Sequence, residues 1–83
     1  MLAKVLVANR GAIARRIIRA CQALNIASVA VYSEADRDAP YLAEATQAFP
    51  LRGNSAAESY LDQQQLLVVA VESGADAVHP GYG

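Results

Sequence analysis

The residues of this chain best suited to chemistry stand together as His79-Pro80-Gly81-Tyr82-Gly83. This segment sets the single histidine and one of four tyrosines among a proline and two glycines. Glycine lets a backbone come close to a ligand, and proline fixes one dihedral. After an apolar run, such a segment places its side chains at the mouth of a site. A second polar turn, Asn9-Arg10-Gly11, follows Val5-Leu6-Val7-Ala8. A third, Ser33 to Asp38, follows Ala27 to Tyr32. With one histidine and one cysteine, Cys21, a metal centre or a Cys–His nucleophile pair has too few donors, so no catalytic residue and no metal ligand is assigned. His79 alone reads first as a hydrogen-bonding histidine.

The elements that must position these turns follow from pattern. Val5 to Ala8 and Ala27 to Tyr32 read as buried parallel strands, Ala48 to Leu51 as a short third and Ala75 to Val78 as a fourth, with His79 opening the last loop. Between them, Ala12 to Leu24 reads as a helix closed by Asn25. At 100° per residue Ile13, Ile17, Ala20, Cys21 and Leu24 share its apolar face, and Arg15, Arg16 and Arg19 the opposite one. Asp38 and Pro40 fit the start of a short helix from Ala39 to about Thr46. Ser55 to Glu58 has capping-box spacing and Ser59 to Asp62 competes with it. The main helix then runs from Gln63 to Ser73, with Gly74 as its stop. Strands alternating with helices imply an α/β fold, a Rossmann-like open parallel sheet with right-handed crossovers. In such sheets ligands bind beyond the carboxyl ends of the strands, where all three polar turns would lie.

Composition narrows the function. The 83 residues make one domain at most, and a chain of this length buries roughly 60% of its unfolded surface. Apolar residues make up 54%, which excludes disorder. The net charge of −1 offers no general attraction to nucleic acid or to an anionic membrane, and the apolar run from Leu66 to Val71 is too short to span a bilayer. The lone cysteine and the lack of a secretory signal fit a cytoplasmic location. Charge is nonetheless segregated. Residues 1–33 hold Lys4, Arg10, Arg15, Arg16 and Arg19 and no acid. The arginine face is either solvated or a docking surface. A dinucleotide site is disfavoured despite Glu34 about 20 residues on, because Gly11 stands alone where the fingerprint needs three glycines.

Taken in order, Val5 to Gly11, Ile13-Ala14, Arg16 to Cys21, Val29 to Ser33 with Ala35 to Asp38, Ser59-Tyr60-Leu61, Gly74-Ala75 and His79 to Gly83 resemble the opening of biotin carboxylase over the whole chain. Ala12, where most members carry Glu, together with Val31 to Asp38 and Asn54 to Leu61, is most similar to the urea carboxylase branch. The resemblance implies a three-layer pre-ATP-grasp domain over residues 1–83, truncated on its C-terminal side. It also implies an enzyme in which ATP activates bicarbonate and biotin is carboxylated. Biotin and ATP with Mg²⁺ would be the cofactors. The ATP-grasp lobe and biotin carrier domain of the same protein, and a second copy in a homodimer, would be the partners. By the same resemblance Tyr82, Gly81, Gly83 and His79 line the substrate cleft, and Arg16 and Arg19 lie at a dimer or domain interface. The isolated chain is expected to be inactive. The alternatives are the biotin carboxylase of an acyl-CoA or pyruvate carboxylase, or a free-standing docking half-domain.

Overall fold

The computed structural model describes residues 3–53 and 59–79. Strands β1 (Lys4–Val7), β2 (Ala27–Tyr32), β3 (Gln47–Pro50) and β4 (Ala77–His79) form one all-parallel sheet in the order β3-β2-β1-β4. Helix α1 (Gly11–Ala23) joins β1 to β2. A 3-10 turn (Glu34–Asp36) and α2 (Pro40–Glu44) lead to β3, and α3 (Gln63–Ser73) returns to β4. The period-two alternation of the strands divides the core. Val5, Val7 and Ala30 pack with Ala14, Ile18, Cys21 and Tyr41 beneath α1 and α2. Leu6, Val29 and Val31 pack with Leu51, Tyr60 and Val69 beneath α3. The expected three-layer open sheet is therefore present.

Element ends follow local chemistry. Asn25 (φ 58°) and Gly74 (φ 73°) take the left-handed geometry expected after α1 and α3. A Cβ on Gly74 would meet nothing within 4 Å, so only backbone strain opposes a side chain there. Gly74→Ala is expected to cost about 1 kcal/mol in urea unfolding, and Gly74→Asn less, because Asn tolerates this region better.

Several sequence expectations shift, and β1 and α1 each begin and end one residue earlier than the pattern suggests. α3 begins as expected at Gln63, but its cap is Asp62, whose carboxylate accepts from the Gln64 and Gln65 amides. The competing Ser55 to Glu58 box lies outside the described residues. α2 starts at Pro40 behind Ala39 with no side-chain cap, so Asp38 does not serve there. β3 runs from Gln47 to Pro50, one residue early, because Thr46 and Ser28 exchange hydrogen bonds and set the register. His79 belongs to β4 rather than to the loop after it. Asp76 caps the Ala3 and Lys4 amides and its own amide donates to the Lys4 carbonyl, so the strand starts at Ala77 and ends at His79.

The largest correction concerns α1. Its buried residues are Ala14, Ile18 and Cys21, whereas Ile13 is 41% exposed and Leu24 70% exposed. The stripe is rotated toward the arginines because α2 packs along that side. Glu44 at the end of α2 takes Arg15 at 2.9 Å and Arg19 at 3.1 Å, and its carbonyl accepts from the Gln22 amide at 2.7 Å. An acid from the next helix thus offsets the like charges of the first, which no pattern within α1 reveals.

Candidate functional site

The carboxyl ends of the strands carry the polar side chains. β1 has β2 on one side, reached by a crossover over one face, and β4 on the other, reached over the opposite face. The gap beyond the ends of β1 and β4 is therefore a topological switch point, where ligands bind in open α/β sheets. Asn9 and His79 meet there. Val7 and His79 are register partners, so their side chains lie on the same face. Asn9 comes two residues after Val7, returning to that face. Its Oδ1 lies 3.2 Å from His79 Nδ1, and the Ala8 amide donates to the His79 carbonyl at 3.1 Å. Asn9 is buried while His79 is exposed.

Beside this pair lies a network that ties three loops together. Arg10 grips Asp36 with two hydrogen bonds, Nε to Oδ2 at 2.8 Å and Nη2 to Oδ1 at 3.3 Å. Tyr60, from the connection between β3 and α3, donates its hydroxyl to Asp36 Oδ2 at 2.5 Å and accepts from the Ser33 amide at 2.9 Å. The Arg10 guanidinium stands 5.0 Å from the centre of the Tyr60 ring. Tyr41, whose hydroxyl lies 3.5 Å from that of Tyr60, donates to the Val31 carbonyl at 3.1 Å. The Tyr60 hydroxyl thus reaches past the end of β2 from one core cluster to the other. The Arg10 hydrogen bond, helped by Tyr60 and opposed by desolvation, holds the Asp36 carboxyl below the usual carboxylate range. Burial, reinforced by Tyr60, pushes the Tyr41 hydroxyl well up and keeps it a donor. A groove of about 490 Å³ opens beside this network, lined by Arg10, Ala12, Arg15, Asp36 and Tyr41.

The candidate residues fall out unevenly. His79 sits at the switch point. Tyr82, Gly81 and Gly83 lie outside the described residues. Arg19 is held by Glu44, whereas Arg16 is exposed and makes no ion pair among the described residues. Glu34, the would-be ribose acid, pairs with Arg37 at 2.6 Å and lies 75% exposed, away from the Asn9–His79 pair. Cys21 is buried on the inner face of α1, and burial raises its thiol further from ionisation. Pattern reading missed Asn9 and Tyr60 as site residues. Asn9 carried a usable signal, a polar amide at the end of an apolar strand. Tyr60 carried none, because its partners lie 24 and 27 residues away. Among the described residues no nucleophile stands beside a base, and the polar side chains at the strand ends tie the loops to one another.

An open parallel sheet with a polar rim at its switch point defines a Rossmann-like α/β domain. Within that class the chain belongs to the family "Biotin carboxylase, N-terminal domain", which matches residues 1–83. It is 53% identical over 83 residues to "Biotin carboxylase 2" of Bacillus subtilis, covering 100% of this chain and 19% of that protein. Among solved structures, the urea carboxylase of Kluyveromyces lactis superposes with a TM-score of 0.94 at 43% identity, covering 99% of this chain and 7% of that one. The biotin carboxylase domain of Hydrogenobacter thermophilus 2-oxoglutarate carboxylase, a dimer in complex with MgADP, ADP and bicarbonate, superposes at 0.92 with 46% identity, covering 100% of this chain and 18% of that one. The chain thus spans about a fifth or less of the length of these relatives.

Proposed function

We propose that this segment forms one wall of the cleft in which an ATP-driven, biotin-dependent carboxylase activates bicarbonate and carboxylates biotin. The observation that carries the reading is the pairing of Asn9 with His79 at the switch point of a chain matched to the family along its whole length. His79, Gly81, Tyr82 and Gly83 are then the biotin-side residues. No group of three His, Cys, Asp or Glu residues suited to a metal ion exists among the described residues, and Asp36 is committed to Arg10 and Tyr60. The described residues therefore do not fit a Mg²⁺ site, and no step is routed through the metal or the nucleotide on them. Their part is to fix the rim. Arg16, exposed and without an ion pair among the described residues, is the better placed of the two candidate arginines to meet another domain or a second copy. The finer reading takes urea as the carboxyl acceptor. Ala12, the 31–38 segment and the 0.94 superposition support it. The higher identity to the 2-oxoglutarate enzyme, 46% against 43%, keeps other acceptors in play.

The test replaces the matching segment of the Bacillus subtilis Biotin carboxylase 2 with residues 1–83. The chimera is expected to carboxylate free biotin, with bicarbonate-dependent ATP hydrolysis, within about tenfold of the parent, a difference of about 1.4 kcal/mol in barrier. The 83-residue chain alone is expected to do neither. A folded but inactive chimera, or turnover by the chain alone, would defeat the reading. Offering urea, an acyl-CoA and pyruvate to the carboxylase that carries this segment decides the acceptor.

A further inference from the structure

We infer that Tyr60 is a positioning residue for the cleft: acting through Asp36 and Arg10, it fixes the turn between β1 and α1 on which the end of β4 rests. This rests on the reading above that the ends of β1 and β4 face the cleft. Arg10 stands at the N-cap of α1 without a side-chain cap, and the first turn of that helix holds no acid. Ser, Thr, Asp and Asn are the side chains that stabilise such a position, and a cation there opposes the helix dipole. Local helix chemistry therefore gives no reason for an arginine at this point. Its partners lie elsewhere. Nε and Nη2 take both oxygens of Asp36, 26 residues on, and the guanidinium stands over the Tyr60 ring. Departures from local preference of this kind gather at functional sites.

The Tyr60 hydroxyl completes the set. Tyr60 is 5% exposed, and its ring fills the core cluster beneath α3. A phenylalanine ring would fill the same space, so the hydroxyl answers to polar contacts alone. It donates to the same Asp36 oxygen that Arg10 Nε uses, and it accepts from the Ser33 amide. Asp36 is also held by its backbone. Its amide donates to the Ser33 carbonyl and its carbonyl accepts from the Ala39 amide, both at 2.9 Å. Arg10 thus grips a carboxylate that is itself fixed. The Arg10 backbone carries this to the switch point. Its carbonyl accepts from the Ala14 amide at 3.2 Å and starts α1, and two residues before it the Ala8 amide holds the His79 carbonyl at 3.1 Å. The place of Arg10 therefore sets where β1 ends, where α1 begins and where β4 is anchored. A two-point grip and a ring face hold the guanidinium, so its planar shape counts as well as its charge.

The test is made in the full-length carboxylase that carries this segment, reading biotin kinetics and amide exchange. Tyr60→Phe and Arg10→Lys are each expected to raise KM for biotin about tenfold while changing kcat by less than about twofold, the pattern of lost ground-state positioning. A purely structural role would instead lower the folded fraction, and with it the apparent kcat, at unchanged KM. Ile18→Val, a core change away from the rim, should leave KM at the wild-type value. The double variant Tyr60→Phe/Arg10→Ala should be no worse than Arg10→Ala alone, because Tyr60 acts through Arg10. In Tyr60→Phe the Ala8 and Ala14 amides beside the turn should exchange faster. The Asp76 amide, bonded to the Lys4 carbonyl at the far end of the same strands, should not. An unchanged KM in either single variant, unchanged exchange at Ala8 and Ala14, or additive effects in the double variant overturns the inference. Should Tyr60→Phe fail to fold, Arg10→Lys, altered at a side chain 51% exposed, decides it by KM and by Ala8 exchange. An enzyme that carboxylates no biotin defeats the proposed function. The Ala8 and Ala14 exchange rates then decide the positioning role separately, and unchanged rates overturn it.

Discussion

Ile18→Ala is expected to remove about 2–5 kcal/mol of folding stability, whereas Ile13→Ala, five residues earlier on the same helix, should stay within about 0.5 kcal/mol of wild type. Ile18 has no solvent exposure and packs with Val5, Val7, Ala14, Cys21, Ala30 and Tyr41. Truncating it both exposes the loss of apolar transfer and leaves a cavity among groups tied to a sheet that cannot easily collapse. Ile13 is 41% exposed, so alanine there removes little buried area and slightly favours the helix. A domain of this size has roughly 4–12 kcal/mol in total, at about 0.05–0.15 kcal/mol per residue. Ile18→Ala should therefore leave a large unfolded population near room temperature. Urea unfolding followed by circular dichroism distinguishes the two variants. Equal costs at the two positions would return the buried stripe to the phase that periodicity alone suggests.

That pair of isoleucines shows where the amino-acid pattern stops. Four strands, three helices, the left-handed stops at Asn25 and Gly74 and the placement of three polar turns at strand ends are all legible from local residue types. Each is decided within a few positions by periodicity or by a residue tolerant of positive φ. The phase of α1 is not, since its arginines look like a solvent face until Glu44 of α2 is brought against them. The same holds for the rim. Asn9 and His79 are separately visible, but their contact depends on the sheet order β3-β2-β1-β4, in which the last strand crosses over to pair with the first. Asp62, by contrast, is readable from residue types alone. Asp62 with Gln65 three residues on has the spacing of a capping box; the Asp62 carboxylate accepts from the Gln64 and Gln65 backbone amides, and the Gln65 side-chain amide donates to the same carboxylate at 3.2 Å. The family resemblance covered the fold and the broad class of reaction, but it did not disclose the Tyr60 network that holds the rim together.

Tyr60→Phe tests that network with the smallest change available, and it is expected to cost about 1–3 kcal/mol, the usual penalty for leaving a buried polar group unpaired. The ring stays, so its burial and its contact with the Arg10 guanidinium are kept. What goes is one hydroxyl with two strong partners. The Ser33 amide, buried at the end of β2, loses its acceptor, and Asp36 loses its 2.5 Å donor while retaining Arg10. Tyr41 keeps the Val31 carbonyl and is little affected. Ser33 amide exchange should accelerate in the native state beyond what the global loss explains, because the opening is local to the loop. The acid limb carries a second signature. Asp36 has a folded-state pKa below its unfolded value near 3.8, so its contribution is present above that value and is lost as pH falls through the lower, folded one. Removing the Tyr60 hydroxyl takes away one cause of the depression, so the Tyr60→Phe carboxyl should titrate at higher pH than in wild type, though still depressed by Arg10. Asp36→Asn should flatten this part of the stability curve. At neutral pH it should cost less than Tyr60→Phe, since an amide oxygen can still accept from Tyr60 and the lost ion pair is half exposed on the Arg10 side, where such pairs contribute about 0–1 kcal/mol. If Tyr60→Phe matches wild type in urea midpoint and in Ser33 exchange, the three loops are held by packing alone and the hydroxyl is incidental.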